Sequence, residues 1–516
     1  MKNRKVGQWL CRIFWFAQLG AECLAGFSAW KLNMLPNLYF SALVLVFAML
    51  LGITGLILKP FGRKKPGLFR IIFGGLLAVA VIAGCLFGGS VADSVSDMVD
   101  DITVDTQTVS VSMAVYVPVE DPAQFIGDTG SYVFGALDNY ETERTHQALE
   151  QLRQTLGTDV QVIYYETLVE LIAALERGEA DALILNSAYV SILEDTEEFR
   201  DLPRKLRVLH TEVIQETLPP ETQPPAQIQT LPTETLAQTE PEPPFSITSS
   251  PFIVYVSGSD TRDYYLSTSR SDVNILAVVN PVSKMVLLIN TPRDTFVSNP
   301  AGGGAKDKLT HCGISGIDCS IGALEDLYGI DVRYYAQINF TGVETLVDAV
   351  GGVDVYAEYG FTAMEVYPIN SGWNHLNGKQ ALAFAQDRYS HADGDHARGR
   401  NQMKVIRAIL EKATSGSTIM NNYAKILASL QGLFRTNVST EEIGELVKMQ
   451  LGDMARWNVV TYALTGEGAS AFTYSIPGLR SYVMYPDESR VAYASELIQR
   501  VYRGDVLTSE DMTPRQ

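Results

Sequence analysis

Positive charge is scarce in most of this chain. Of 516 residues, 40 are Lys or Arg and 59 are Asp or Glu, a formal net charge of -19. The cations are also unevenly spread: residues 1–90 carry +9, with Glu22 their one acid, and the remainder carries -28. An exterior this acidic excludes a nucleic-acid binder, which needs a basic face against phosphates. Any phosphate site must be a local basic pocket in an acidic background. Cysteine is sparse too. Cys11, Cys23 and Cys85 fall in apolar stretches, which leaves Cys312 and Cys319 in "HCGISGIDCS". Such a pair, outside the cell, can oxidise to a disulfide. The alternative is two free, small, buried thiols, and spacing alone does not choose.

What the first 92 residues lack is charge inside long runs. Leu32–Leu58 and Ile71–Ala92 carry none, and each exceeds the ~20 residues that cross a bilayer. Val6–Trp30 is apolar but contains Arg12 and Glu22. With three spans, Lys2, Arg4, Lys5 and the loop "KPFGRKKPGLFR" share the cytoplasmic side; with two, one basic cluster must be external, against the positive-inside rule. The expectation is a three-span anchor over residues 1–92, amino terminus cytoplasmic, everything later extracellular. The apolar region is too long and too repeated for a cleaved signal peptide.

An acidic stalk over 93–106 follows. Residues 107–215 alternate strand and helix, which suggests a small, parallel α/β domain. It contains no site motif and reads as a spacer or docking module. Residues 216–249 are a Pro/Thr/Glu-rich linker: 216–246 hold eight of the 22 prolines and no Lys or Arg. That composition predicts an extended tether between two units that fold independently. The larger domain, 250–516, opens with the strand "FIVYVSG". "VNILAVV" and "MVLLIN" flank a short turn and predict a buried antiparallel pair. Helices and strands alternate from there, and "YVMYPDESRVAYASELIQRVYRG" predicts a closing strand and helix. The fold class is α/β, a central sheet flanked by helices, plus the smaller α/β domain.

Charged residues gather where these elements end. Asp260, Arg262 and Asp263 follow the first strand; Arg270 and Asp272 precede the second; Arg293 and Asp294 follow the third. Lys308 lies in "KDKLTH", Arg388 ends a helix, and Arg398 and Gln402 share a face at the start of the next. Strand ends and helix starts are where α/β folds bind ligands. Arginine's planar fork suits phosphate oxygens. Carboxylates beside phosphates suggest Mg²⁺, held by one or two of them with phosphate and water. Asp263 and Arg400 read better as solvated, and Asp294 as the partner that orients Arg293. On residues alone the reading stops at a polyanion site.

The stretches "GSDTR", "SRSDVNILAVVNP", "LLINTPRDT", "KDKLTH", "INFTGVETLVDAVGGVDV", "HLNGKQALAFAQDRYS" and "GDHARGRNQ" resemble, in order over 252–413, the catalytic domain of the LytR-CpsA-Psr family. The resemblance implies a membrane-anchored phosphotransferase that moves a polyprenyl-pyrophosphate-linked glycopolymer onto peptidoglycan. It implies Mg²⁺ on Asp260 and Asp272, and pyrophosphate on Arg270, Arg293, Lys308, Arg388, Arg398 and Gln402. Gln386 and Asn401 stand where members of the family often carry arginine. The alternatives are a non-catalytic binder of the lipid-linked polymer, and a pyrophosphate hydrolase using the same pocket.

Overall fold

The structure, a computed structural model, describes residues 2–62, 67–103, 108–138, 141–194, 196, 198–217, 244–259, 261, 266–392, 394–414 and 425–513. The proline-rich linker lies almost wholly outside them. Two compact units emerge: residues 1–103 with 410–431 and 438–456, and residues 104–409 with 432–437 and 457–516.

The first unit is built on three long helices, Lys2–Leu32, Asn37–Leu58 and Leu68–Ile102. The second and third are long and apolar enough to cross a membrane. The first helix runs along both. Arg12 Nε donates to Pro60 O at 3.0 Å and Gln8 Nε2 to Gly62 O at 2.9 Å, so its start meets the loop between the other two. Further along, Ala21 and Ala25 pack with Phe47, Val81 and Cys85. A side chain at Gly75 would put its β-carbon 3.1 Å from the Phe14 ring, so the small residue permits the approach. Gln18 and Glu22 are buried in this bundle and hydrogen-bonded at 2.8 Å. Leu24, Leu45, Leu56 and Leu76 are exposed on its outside. The third helix continues through most of the acidic stretch, as far as Ile102.

The second unit contains both α/β parts. The smaller has a five-stranded sheet. Its strands Val133–Leu137, Gln161–Tyr165 and Ala182–Asn186 are parallel. Thr108–Pro118 and Leu206–Thr217 run antiparallel to each other, and the first of them antiparallel to Ala182–Asn186. The sheet is therefore mixed where the strand-helix alternation predicts a parallel one. Leu206–Thr217 is an edge strand, and the polar residues scattered through it hide it from a search for apolar runs.

The larger part has six strands in one mixed sheet, in the order Phe434–Thr436, Tyr334–Asn339, Phe252–Ser259, Ser271–Asn280, Met285–Asn290, Asn458–Ala463. Ser271–Asn280 and Met285–Asn290 form the expected antiparallel pair. Asn280 shapes the turn between them, its Oδ1 accepting from Val282 N and Ser283 N at 3.1 Å. Every residue of Met285–Asn290 is buried, as a central strand covered on both faces requires. Helices Ile317–Tyr328 and Glu488–Tyr502 pack Leu324, Leu497 and Val501 onto Leu276, Leu287 and Ile289. The last strand, Ile476–Pro486, does not close this sheet. It pairs with Gly466–Thr473 in a separate hairpin, and Asn458–Ala463 closes the sheet in parallel with Met285–Asn290.

The two α/β parts are not separate bodies. Ile314 and Ile476 of the larger join Leu171, Leu185 and Ile192 of the smaller in one apolar cluster. The linker's composition describes its own conformation and carries no information on whether the parts it joins dock.

Candidate active site

The candidate site forms where the strands Ser271–Asn280 and Met285–Asn290 meet the polar segments beside them. Asp272 is the second residue of its strand. Arg293 and Asp294 follow the buried run Met285–Asn290 by three and four residues. Their backbone is pinned: Thr310 N donates to Arg293 O at 2.9 Å and Met484 N to Asp294 O at 2.8 Å. Those bonds bring "KDKLTH" and the late hairpin to the same place. The helix Asp395–Ala413 comes in closely at Gly399, where a β-carbon would lie 2.3 Å from Asn290 Nδ2.

Ion pairs then run through a buried cluster. Arg293 Nη1 donates to Asp272 Oδ1 at 2.8 Å, and Thr310 Oγ1 donates to the same oxygen at 3.3 Å. Arg293 Nε lies 3.8 Å from Asp294 Oδ2, and Lys308 Nζ lies 2.7 Å from Asp294 Oδ1. Arg398 pairs with Asp395. Gln402 lies one turn beyond Arg398, and both are buried, whereas Arg400 is exposed. Asn401, also buried, bonds His391 at 3.2 Å. Burial opposes ionisation of Asp272, yet the charges of Arg293, Arg270 and Arg398 outweigh it and hold that carboxyl well below the usual range. Burial likewise opposes ionisation of Asp294, and Lys308, Arg293 and Arg398 lower it. Both carboxylates are therefore charged at neutral pH, among four cations of this pocket: Arg270, Arg293, Lys308 and Arg398.

Arg270 is buried, and its Nη1 donates to the Ser191 carbonyl of the smaller α/β part at 2.9 Å. Arg388 is half-buried and turns to Tyr389, with Nη2 2.6 Å from the phenol oxygen. Among the described residues no ion pair or hydrogen bond links it to Asp272. Asp260, Arg262 and Asp263 lie outside the described residues. Cys312 and Cys319 are free, buried thiols, not a disulfide. Their mutual influence pushes Cys312 up and Cys319 down, and Cys312 Sγ lies 3.9 Å from Lys308 O. Cys319 Sγ also lies 3.2 Å from Asn299 Oδ1.

Sequence reasoning missed Thr310, although it sits two residues past Lys308. It also missed Asp307. That carboxylate is fully buried and accepts from Asn299 Nδ2 at 3.1 Å, Lys308 N at 2.8 Å, His311 Nδ1 at 2.6 Å and Ser475 Oγ at 2.5 Å. Burial works against its charge, and His311 and Ser475 keep it low. With its oxygens so engaged, Asp307 holds the loop that carries Lys308 and Thr310.

Mg²⁺ fits this donor set to a limited extent. Arg293 and Thr310 occupy Asp272 Oδ1, and among the described residues Oδ2 has no partner. One carboxylate oxygen with phosphate and water is a sufficient protein contribution for this ion. Among the described residues no three His, Cys, Asp or Glu side chains form a cage for a metal.

The sequence pattern of the LytR_cpsA_psr family matches residues 227–485. Over 198 residues the chain is 34% identical to polyisoprenyl-teichoic acid--peptidoglycan teichoic acid transferase TagU of Enterococcus faecalis, covering 38% of this chain and 64% of that protein. The protein of the same name from Bacillus mycoides is 32% identical over 201 residues, 39% of this chain and 64% of its own length. The chain thus spans under two thirds of these relatives. The crystal structure of B. subtilis TagV superposes with a TM-score of 0.42 and 24% identity, over 49% of this chain and 98% of the other.

Proposed function

The chain belongs to the LytR_cpsA_psr family, and from that premise we propose that it is a membrane-anchored, extracellular phosphotransferase. It takes a polyprenyl-pyrophosphate-linked glycopolymer and transfers the phosphoglycosyl end to peptidoglycan. One observation carries this reading: a buried cluster of Arg270, Arg293, Lys308 and Arg398 in a chain whose net charge is -19. Carboxylates offset the cost of burying three of them, Arg293 by Asp272, Lys308 by Asp294 and Arg398 by Asp395. Guanidinium forks carry more donors than one such pair uses, so their concentration at one set of strand ends argues for an anionic ligand.

In this reading the acceptor hydroxyl oxygen attacks the phosphorus that bears the glycan. The bond from that phosphorus to the bridging oxygen breaks, polyprenyl phosphate leaves, and the hydroxyl proton is released. Arg293, Arg270 and Arg398 take diphosphate oxygens through planar forks, and Lys308 acts as a point charge. Asp294 keeps Lys308 and Arg293 in place, so little reorganisation accompanies charge development on the leaving phosphate. Asp272, with Asp260, would hold Mg²⁺, which when bound neutralises part of the diphosphate charge. Arg388 and Gln402 complete the set by resemblance.

Anchoring rests on the helices Asn37–Leu58 and Leu68–Ile102. The first helix, packed along both with its start at the 59–62 loop, supports a third span and a cytoplasmic amino terminus. Gln18 and Glu22 bury their polar ends inside the bundle, as a spanning helix requires.

The test is turnover by the full chain in detergent, with Mg²⁺, a polyprenyl-diphosphate saccharide and a peptidoglycan fragment. The expected products are polyprenyl phosphate and a phosphodiester conjugate in equal amounts. Polyprenyl phosphate without conjugate would make the protein a hydrolase, and binding without either product would make it a binder.

A further inference from the structure

The sequence of the smaller α/β part points to no site of its own, yet a hydrogen bond ties it to the pocket. The helix Ser187–Glu194 has eight residues, and the last four carbonyls of any helix lack intrahelical donors. Thr196 takes the Leu193 carbonyl, with its backbone N at 2.9 Å and its Oγ1 at 2.7 Å. The Ser191 carbonyl accepts from Arg270 Nη1 at 2.9 Å. Arg270 thus serves as a cationic cap where the helix dipole favours positive charge. Two residues earlier, Thr268 N donates to Ser110 O at 2.9 Å. Ser110 and Ser191 lie on one rim of the small sheet. The parallel strands Val133–Leu137 and Ala182–Asn186 end there, and the antiparallel strand Thr108–Pro118 begins there. Open α/β sheets hold their ligands at that rim. In this chain it holds residues 268–270 of the larger part.

We infer that the smaller α/β part is a positioning device for the phosphate pocket: the Ser191 carbonyl fixes the Arg270 guanidinium, so pocket occupancy and the order of the helix Ser187–Glu194 are linked. The inference rests on the reading of the pocket as a diphosphate site. A guanidinium has five donors in a rigid fork. Fixing one on a carbonyl of a packed helix removes rotamer freedom that ligand binding would otherwise have to remove. Linkage is reciprocal, so a diphosphate on Arg270 must tighten the helix that holds it.

The experiment is amide hydrogen exchange on the full chain in detergent, with and without farnesyl diphosphate and Mg²⁺. Calorimetry of the same samples reports binding. In the wild-type protein, ligand should slow exchange over 187–194 by about fivefold or more. In Arg270→Ala at saturating ligand this slowing should vanish, while strand 182–186 stays protected. Arg270→Lys should not restore it, because a lysine cannot span carbonyl and phosphate with a fixed fork. Arg293→Ala should bind more weakly, yet at saturation it should still slow 187–194. Binding to wild type with no change over 187–194 overturns this inference alone. Slowing that survives in Arg270→Ala overturns the route through Arg270. No binding of the diphosphate to wild type overturns the reading of the pocket, and the inference with it.

Discussion

Arg293→Ala has a cost that follows from the geometry. The side chain is 6% exposed and its Nη1 bonds a carboxylate at 2.8 Å whose side chain is 13% exposed. Unit charges 4 Å apart attract by about 4 kcal/mol at an effective dielectric constant near 20, but desolvation offsets most of that. The relevant quantity is the charge left behind. Truncating one member of a buried pair costs about 3–5 kcal/mol. Arg270 and Arg398 still act on Asp272 after the change, so the lower end applies, roughly 3 kcal/mol. Adding Asp272→Asn removes the stranded anion and should return roughly 1–2 kcal/mol as a coupling energy. Binding should behave differently. A hydrogen bond to a charged group contributes about 1.5–3 kcal/mol, so affinity for farnesyl diphosphate should fall roughly 10- to 150-fold in Arg293→Ala. The double variant should recover none of that. Thermal unfolding and isothermal titration of the four proteins separate the two effects. Stability within roughly 0.5 kcal/mol of wild type in Arg293→Ala, or a double variant no more stable than the single, would refute the reasoning.

Three further outcomes follow from the same geometry. Asp272 and Asp294 have folded values below their ordinary 3.8, so they add stability that is complete above that value and lost as pH falls below it; melting temperatures should hold down to about pH 5 and drop beneath it, and a decline already under way from pH 8 to 6 would contradict the assignment. Arg388→Ala should weaken diphosphate binding less than Arg293→Ala does, because Arg388 is half-buried against an exposed tyrosine and not fixed by carboxylates; equal losses in titration would refute that ranking. Alkylation in denaturant without reductant should label both Cys312 and Cys319, and a protein that takes the label only after reduction would mean that the free-thiol pair is wrong.

Much of the site was legible because it follows local rules. The run "MVLLIN" is apolar enough to be a buried strand, so whatever follows it is positioned rigidly, and Arg293 and Asp294 follow it. The four-residue spacing of Arg398 and Gln402 puts both on the buried face and leaves Arg400 out. The pairing of Asp294 with Arg293 is a matter of adjacency. What was illegible depends on tertiary packing. No periodicity near Arg270 reports that Ser191, 79 residues earlier, supplies its acceptor. Leu206–Thr217 is an edge strand in which charged and polar residues are scattered among the apolar ones, so it lacks the apolar run that marks its neighbours. The Cys312–Cys319 spacing is compatible with a bond, but two helices, Leu309–Cys312 and Ile317–Tyr328, set where the sulfurs lie. Asp260 falls outside the described residues, so its pairing with Asp272 rests on the resemblance alone.

Asp307 bears on how variant libraries of this protein should be interpreted. Its carboxylate joins Asn299, the adjoining Lys308–His311 turn and Ser475, three separate stretches of chain. A growth-based screen would score Asp307→Ala alongside Asp272→Asn, since both abolish product. Their protein levels would differ. Loss of Asp307 leaves several buried donors unmatched and the variant should be cleared from the cell, whereas Asp272→Asn keeps an amide oxygen for Arg293 and Thr310 and should be depleted less. Abundance measured beside activity would keep an aspartate of the scaffold from being mistaken for one of the active site.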